Sequence, residues 1–164
     1  MRFAIVRALF NGEITAALLA GAVRAFADAQ VHARDVDVFE VPGSFELPLC
    51  SLWCAQTRRY DAIVCLGCVI RGATPHFEYV AAQAARGIAE VALQTGVPVI
   101  FGVLTTETAQ QAWERAGDAA SGPPQHAATR AAGREAARPA YGNKGYEAAQ
   151  SALRMAALRD QIHK

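Results

Sequence analysis

The 164-residue chain has almost no net charge, +1 with histidines neutral, which argues against nucleic-acid binding driven by a basic surface. It has no apolar run long enough to span a bilayer. The start, Met1-Arg-Phe-Ala-Ile-Val-Arg-Ala8, has the flavour of a signal peptide, but Arg7, Asn11 and Glu13 interrupt any apolar core of one. A cytoplasmic protein, with no membrane or nucleic-acid partner, is therefore expected. There is no glycine-rich dinucleotide fingerprint: Gly67 and Gly72 stand too far apart, so neither a nicotinamide nor a flavin cofactor is supported. Cysteines are few, at 50, 54, 65 and 68. Their spacing invites a zinc or redox reading. However, Cys65 lies inside an apolar strand run, and Cys50 and Cys54 lie one helical turn apart on a mostly apolar face. Both placements suit small core residues. No metal and no cofactor are expected.

What the chain does have is apolar content, 52% against 19% charged, enough for one substantial globular core. It is organised around residues 61–80. Ala62 to Leu66 is a continuous apolar run of the kind a strand buried on both faces shows. The stretch passes Gly67 and Gly72, where backbone can turn or approach a ligand. It then enters a helix, with Thr74 as the expected cap and Pro75 at the first helical position. His76 thus falls in a first helical turn just beyond a strand, where ligands bind in open α/β sheets and where free N–H groups favour an anion. A titratable imidazole there is a candidate acid/base group; the plain alternative is a surface histidine.

The remaining pattern alternates. Strands are expected at Phe3–Ala8, Asp35–Val41, Asp61–Val69 and Val97–Leu104. Helices are expected at 14–29, Phe45–Arg59, Phe77–Gly96, Thr106–Gly117 and Lys144–Arg159. Strands buried on both faces and alternating with helices predict an α/β protein: a four-stranded parallel sheet between helix layers. The chain is expected to be a single domain, 1–164, interrupted at about 118–142. There glycine, proline and alanine dominate, and a flexible inserted loop is expected.

Val69-Ile-Arg-Gly-Ala-Thr-Pro-His76 closely resembles the signature of the lumazine synthase family. Phe10-Asn11, Val41-Pro-Gly-Ser-Phe-Glu-Leu-Pro48, Val97-Pro-Val-Ile-Phe-Gly-Val-Leu-Thr105, Glu114-Arg-Ala-Gly117 and Asn143-Lys-Gly145 match in the same order. The resemblance implies a flavodoxin-like three-layer sandwich. It also implies a transferase of riboflavin biosynthesis that condenses 5-amino-6-(D-ribitylamino)uracil with 3,4-dihydroxy-2-butanone 4-phosphate, giving 6,7-dimethyl-8-ribityllumazine, phosphate and water. The steps are imine formation, phosphate elimination, tautomerisation and ring closure. They require proton transfers and an anchored phosphate but no metal or redox cofactor.

Carried over residue by residue, the resemblance makes His76 the general acid/base. Phe10 becomes the ring that stacks on the pyrimidine, a role an aromatic face suits. Ser44, Phe45 and Glu46 fall on the segment binding the pyrimidine and ribityl chain, where a carboxylate can accept from hydroxyls. Cys68, Val69 and Ile70 match a segment meeting the ring edge through backbone groups; a small polar residue, often threonine, is usual where Cys68 stands. Ala73, Thr74, Arg115 and Lys144 match the phosphate-binding set, Arg115 through its planar fork. Lys144 directly follows the insertion. Phe101 matches a residue contributed by a neighbouring subunit, because in this family each site lies between two subunits of a pentamer. The expected partners are thus small-molecule substrates and other copies of the chain, with a functional link to riboflavin synthase. A short N-terminus and the insertion favour a pentamer or a dimer of pentamers over an icosahedral shell. Two other classes compete with the enzyme: a protein that binds a lumazine or flavin without making one, and a thiol or metal module.

Overall fold

The computed structural model describes residues 1–117 and 142–163. The expected loop at about 118–142 therefore lies, apart from Gly142, outside the described residues. Four strands, β1 (Phe3–Ala8), β2 (Val36–Val41), β3 (Ala62–Ile70) and β4 (Val99–Thr106), form one sheet in the order β2-β1-β3-β4, every pair parallel. Among the described residues the α-helices are α1 (Gly12–Asp28), α2 (Leu47–Gln56), α3 (His76–Thr95), α4 (Ala109–Ala116) and α5 (Lys144–Ile162). Chain order runs one way from β1 to β2 and the other way from β3 to β4. The sheet therefore has a switch point between β1 and β3, the place where open α/β sheets open a crevice at their strand ends.

Side-chain alternation divides the core cleanly. Phe3 and Ile5 of β1 and Ala62, Val64, Leu66 and Cys68 of β3 pack against α1, α4 and α5. Ala4, Val6, Ile63, Cys65 and Val69 face α2 and α3 instead. Phe3 and Phe26 stack with centroids 4.6 Å apart. Fully buried side chains of this size each contribute about 1.5–3 kcal/mol. Helix α5 contributes mainly alanines (148, 149, 152 and 156), which let it lie close on α1. At the crossing, a Cβ on Gly145 would run into the Leu18 backbone.

Burial on both faces holds for the central strands β1 and β3 but not for the edges. Most of β2 is half-buried or exposed, with Val38 and Phe39 open, and on β4 Phe101 is open. An edge strand has a neighbour on one side only. This chain leaves apolar side chains open on both edge strands, Val38 and Phe39 beside the charged Asp37 and Glu40 on β2 and Phe101 on β4.

Local signals shift some element ends. Thr74 does not cap α3: Pro75 occupies the cap, its carbonyl accepts from the Glu78 N–H at 3.0 Å, and His76 is the first helical residue. Gly96 ends that helix at φ 68°, a left-handed conformation that suits glycine. Residues Ser44–Glu46 form a single 3-10 turn before α2 begins. Thr106, expected to open α4, is the last residue of β4. Thr108 caps α4 by accepting from the Gln111 N–H. Gly67 lies inside β3, as the strand expected at Asp61–Val69 has it, and its missing side chain makes room for Ser44 Oγ and Leu47.

Candidate active site

The strand ends build the first part of the site. Beyond β1 and β2 the ladder continues, Leu9 N–H to the Val41 carbonyl at 2.8 Å and Phe10 N–H to the Pro42 carbonyl at 3.0 Å. This brings the β1–α1 turn alongside Pro42 and Gly43. Asn11 holds φ 56°, which asparagine tolerates better than most residues. Its Nδ2 donates to the Cys68 carbonyl at 2.9 Å, fastening the turn to the end of β3. Phe10 projects from this turn 72% exposed, and Phe45, on the segment after β2, is 57% exposed. Ser44 is turned inward toward Gly67, so Phe45 and the half-buried Glu46 are the side chains that segment offers to a ligand. Cys68 and Val69 are buried and Ile70 is half-buried, which leaves backbone as the contact surface of that stretch.

The β3–α3 connection forms the adjacent rim. Arg71 N–H bonds the Thr106 carbonyl at 2.9 Å, tying the connection to the end of β4. The Arg71 guanidinium bridges Glu107 at 2.8 Å and Glu78 at 3.1 Å and lies over the Phe77 ring at 4.5 Å. These contacts brace the connection between the first turn of α3 and the segment after β4. Ala73, Thr74 and His76 are exposed on it. The first-turn N–H groups of a 20-residue helix stand beside them, a setting that attracts an anion.

A second group assembles elsewhere. A cleft of about 350 Å³ along β4 is lined by Phe101, Arg115, Lys144, Glu147 and Ser151, among others. Arg115 Nη1 donates to the Gln111 carbonyl at 2.8 Å, and Lys144 pairs with Glu147 at 2.7 Å. Lys144 is placed by its neighbour: buried Asn143 donates to the Ala17 and Ala116 carbonyls and accepts from the Tyr146 N–H, capping α5. Two cations and an aromatic ring on one cleft are suited to a phosphate ester.

The structure thus places the sequence-derived residues in two sets. Phe10, Ser44, Phe45, Glu46, Cys68, Val69, Ile70, Ala73, Thr74 and His76 gather at the C-terminal ends of β1, β2 and β3. Phe101, Arg115 and Lys144 share the cleft along β4. Phe101 pairs in register with Cys65, five positions before Ile70, a separation of about 16 Å along the strand. Helices α4 and α5, carrying Arg115 and Lys144, pack on the sheet face opposite α3, which carries His76. Ala73 and Thr74 are not among the residues lining the cleft that holds Arg115.

The cysteines are core residues. Burial pushes the Cys54 and Cys65 thiols up to about 12 and the Cys68 thiol up to about 11. Cys65 Sγ lies 2.9 Å from Ser51 Oγ. Thiols held protonated are poor nucleophiles and poor metal ligands. Among the described residues no group of histidine, cysteine, aspartate and glutamate could hold a metal ion, and no helix is long and apolar enough to cross a membrane. Arg7, Asn11 and Asn143 organise the turns around these residues, although the sequence pattern marks none of them as a ligand contact. Their signals were an arginine inside an apolar strand and an asparagine at each of two element boundaries.

A family model described as 6,7-dimethyl-8-ribityllumazine synthase matches residues 1–160. A protein of Syntrophus aciditrophicus (strain SB) bearing that name is 45% identical over 162 residues, covering 99% of this chain and 92% of its own length. Proteins of the same name from Trichormus variabilis and from Nostoc sp. are each 46% identical over 166 residues, covering 99% of this chain and 76% of theirs.

Proposed function

We infer the working of the two clefts from one premise: the chain belongs to the 6,7-dimethyl-8-ribityllumazine synthase family. It is a transferase of riboflavin biosynthesis, condensing 5-amino-6-(D-ribitylamino)uracil with 3,4-dihydroxy-2-butanone 4-phosphate to give 6,7-dimethyl-8-ribityllumazine, phosphate and water. The observation that carries the site assignment is the gathering of Phe10, Phe45, Glu46 and His76 at three adjacent parallel strand ends.

In the proposed site the pyrimidine stacks on Phe10. Its edge meets backbone of Cys68, Val69 and Ile70, and its ribityl hydroxyls donate to Glu46. The 5-amino nitrogen attacks the ketone of the second substrate, and loss of water gives an imine. Proton removal beside the imine expels phosphate, and after tautomerisation the ribitylamino nitrogen closes the ring with loss of another water. His76, exposed at the head of α3, exchanges the protons. General acid–base help of this kind contributes about 10²–10⁴-fold, and holding two substrates in register contributes much of the rest.

The phosphate is shared between subunits. Ala73 and Thr74 offer it the start of α3, while Phe101, Arg115 and Lys144 arrive from the β4 edge of a neighbouring copy. The separation of these two sets within one chain supports this arrangement, as do the open apolar groups on both sheet edges. Two different surfaces meeting head to tail generate a ring when the rotation between copies closes, and a pentamer is the assembly proposed. Light scattering distinguishes it from a larger shell.

The test is direct: mix purified protein with both substrates and follow the lumazine chromophore and released phosphate together. Equal appearance of both supports the assignment. Binding of the lumazine without turnover would instead mark a binding protein, and neither binding nor turnover would reject the site.

A further inference from the structure

We propose that Arg7 is a positioning residue for the pyrimidine, acting by holding the β1–α1 turn and with it the Phe10 ring; the proposal rests on the assignment of Phe10 above. Arg7 is the single charged residue of β1, between fully buried Val6 and Ala8. Its side chain is only 15% exposed. A guanidinium drawn this far into a strand must be paired to be tolerated, and all three nitrogens are used. Nη2 donates to the Gly12 carbonyl at 2.8 Å, Nε to Thr15 Oγ1 at 3.1 Å and Nη1 to Glu40 Oε1 at 2.9 Å. Thr15, itself fully buried, passes its hydroxyl on to the Ala8 carbonyl at 2.8 Å. One planar group therefore joins β1, the exit of the turn, the first turn of α1 and the β2 edge.

The ladder bonds of Leu9 and Phe10 to the Val41 and Pro42 carbonyls hold the turn on its β2 side. Phe10 is mostly exposed, so packing does not orient its ring, and the backbone beneath it must do so. That backbone includes Asn11 in the left-handed region, a conformation that L-residues adopt at a cost and keep only where neighbours enforce it. The Asn11 bond to Cys68 secures one side of the turn and the Arg7 fork secures the other. A lysine could keep the charge beside Glu40 but could not reach three acceptors in one plane.

The experiment is a double-mutant cycle on titration with 6,7-dimethyl-8-ribityllumazine, paired with the KM of each substrate. Arg7→Gln should weaken lumazine binding about five- to tenfold, the effect of one or two lost charge-assisted hydrogen bonds. It should raise the KM of the pyrimidine in parallel and leave that of the butanone phosphate unchanged, and Arg7→Lys should recover part of the loss. In a Phe10→Ala background, Arg7→Gln should add nothing. An additive loss in that background, or an equal rise in both KM values, overturns the proposal by showing a general structural effect. A normal affinity in Arg7→Gln, while Phe10→Ala binds poorly, overturns it alone. If Phe10→Ala binds normally, the stacking assignment falls and Arg7 falls with it. Should Arg7→Gln not fold, Glu40→Gln alters only the half-exposed partner and should weaken lumazine binding about twofold; no change there is equally contrary.

Discussion

Asn143 Nδ2 lies 2.6 Å from the carbonyl oxygen of Ala116, joining the end of α4 to the start of α5 across 27 positions of sequence. The same nitrogen reaches the Ala17 carbonyl, and Oδ1 receives the Tyr146 N–H, so one buried amide fixes three helices. It also fixes Lys144, the next residue, on the cleft along β4.

Asn143→Ala removes a helix cap and takes the buried donor away from the Ala116 carbonyl, together with the part-buried bond to Ala17. A loss of about 2–4 kcal/mol is expected, read as a lower midpoint in urea. Asn143→Asp retains the acceptor for Tyr146 but brings a carboxylate against two carbonyl oxygens, so it should be no better than alanine. A variant as stable as the parent would show that the clasp is dispensable.

His76→Ala should lower kcat by about 10²–10⁴-fold, the usual contribution of a positioned acid/base group. Because His76 is exposed at the head of α3 and buries nothing, the melting temperature and lumazine affinity should stay near those of the parent. Turnover within threefold of the parent would remove His76 from the chemistry.

Alkaline stability follows from the thiols. Burial raises Cys65 from 9.0 to about 12 in the folded chain, with Cys54 and Cys68 raised for the same reason. The folded state therefore holds protons that the unfolded state releases. The stability they contribute is complete below pH 9 and is lost as pH rises from there toward 12. Each such thiol steepens the fall by at most about 1.4 kcal/mol per pH unit. Urea titrations from pH 8 to 11 should show the decline, and Cys65→Ala should flatten it. A flat profile would contradict the burial of these groups.

The central strand and its helix were legible because the signal was local: Ala62 to Leu66 is apolar without interruption, and Gly96 is a helix stop. The rims were legible through motif resemblance. What was hidden depends on contacts distant in sequence. The exposure of Val38 and Phe39 follows from β2 lying at the sheet edge, which alternation along β2 alone does not reveal. Gly67 falls within the expected strand, but why a glycine stands there is hidden until Ser44, 23 positions earlier, is found against it. Thr74 is a good cap by composition, yet Pro75, at φ −69° and ψ 2°, is itself the cap, so the helix starts one residue later than a Thr74 cap would place it. The division of the proposed site, with Arg115 on one sheet face and His76 on a helix of the other, cannot be read from spacing at all.

That division is the central claim, and subunit mixing tests it most directly. Arg115→Ala and His76→Ala proteins should each be nearly inactive alone. Unfolded together and reassembled in equal amounts, they should regain activity in about a quarter of their sites, because a site that takes His76 from one subunit and Arg115 from the next can be fully wild type. Recovery to that level is the result this arrangement predicts. Reassembled mixed oligomers with no more activity than the separate variants would place both residues in one subunit's site and contradict it.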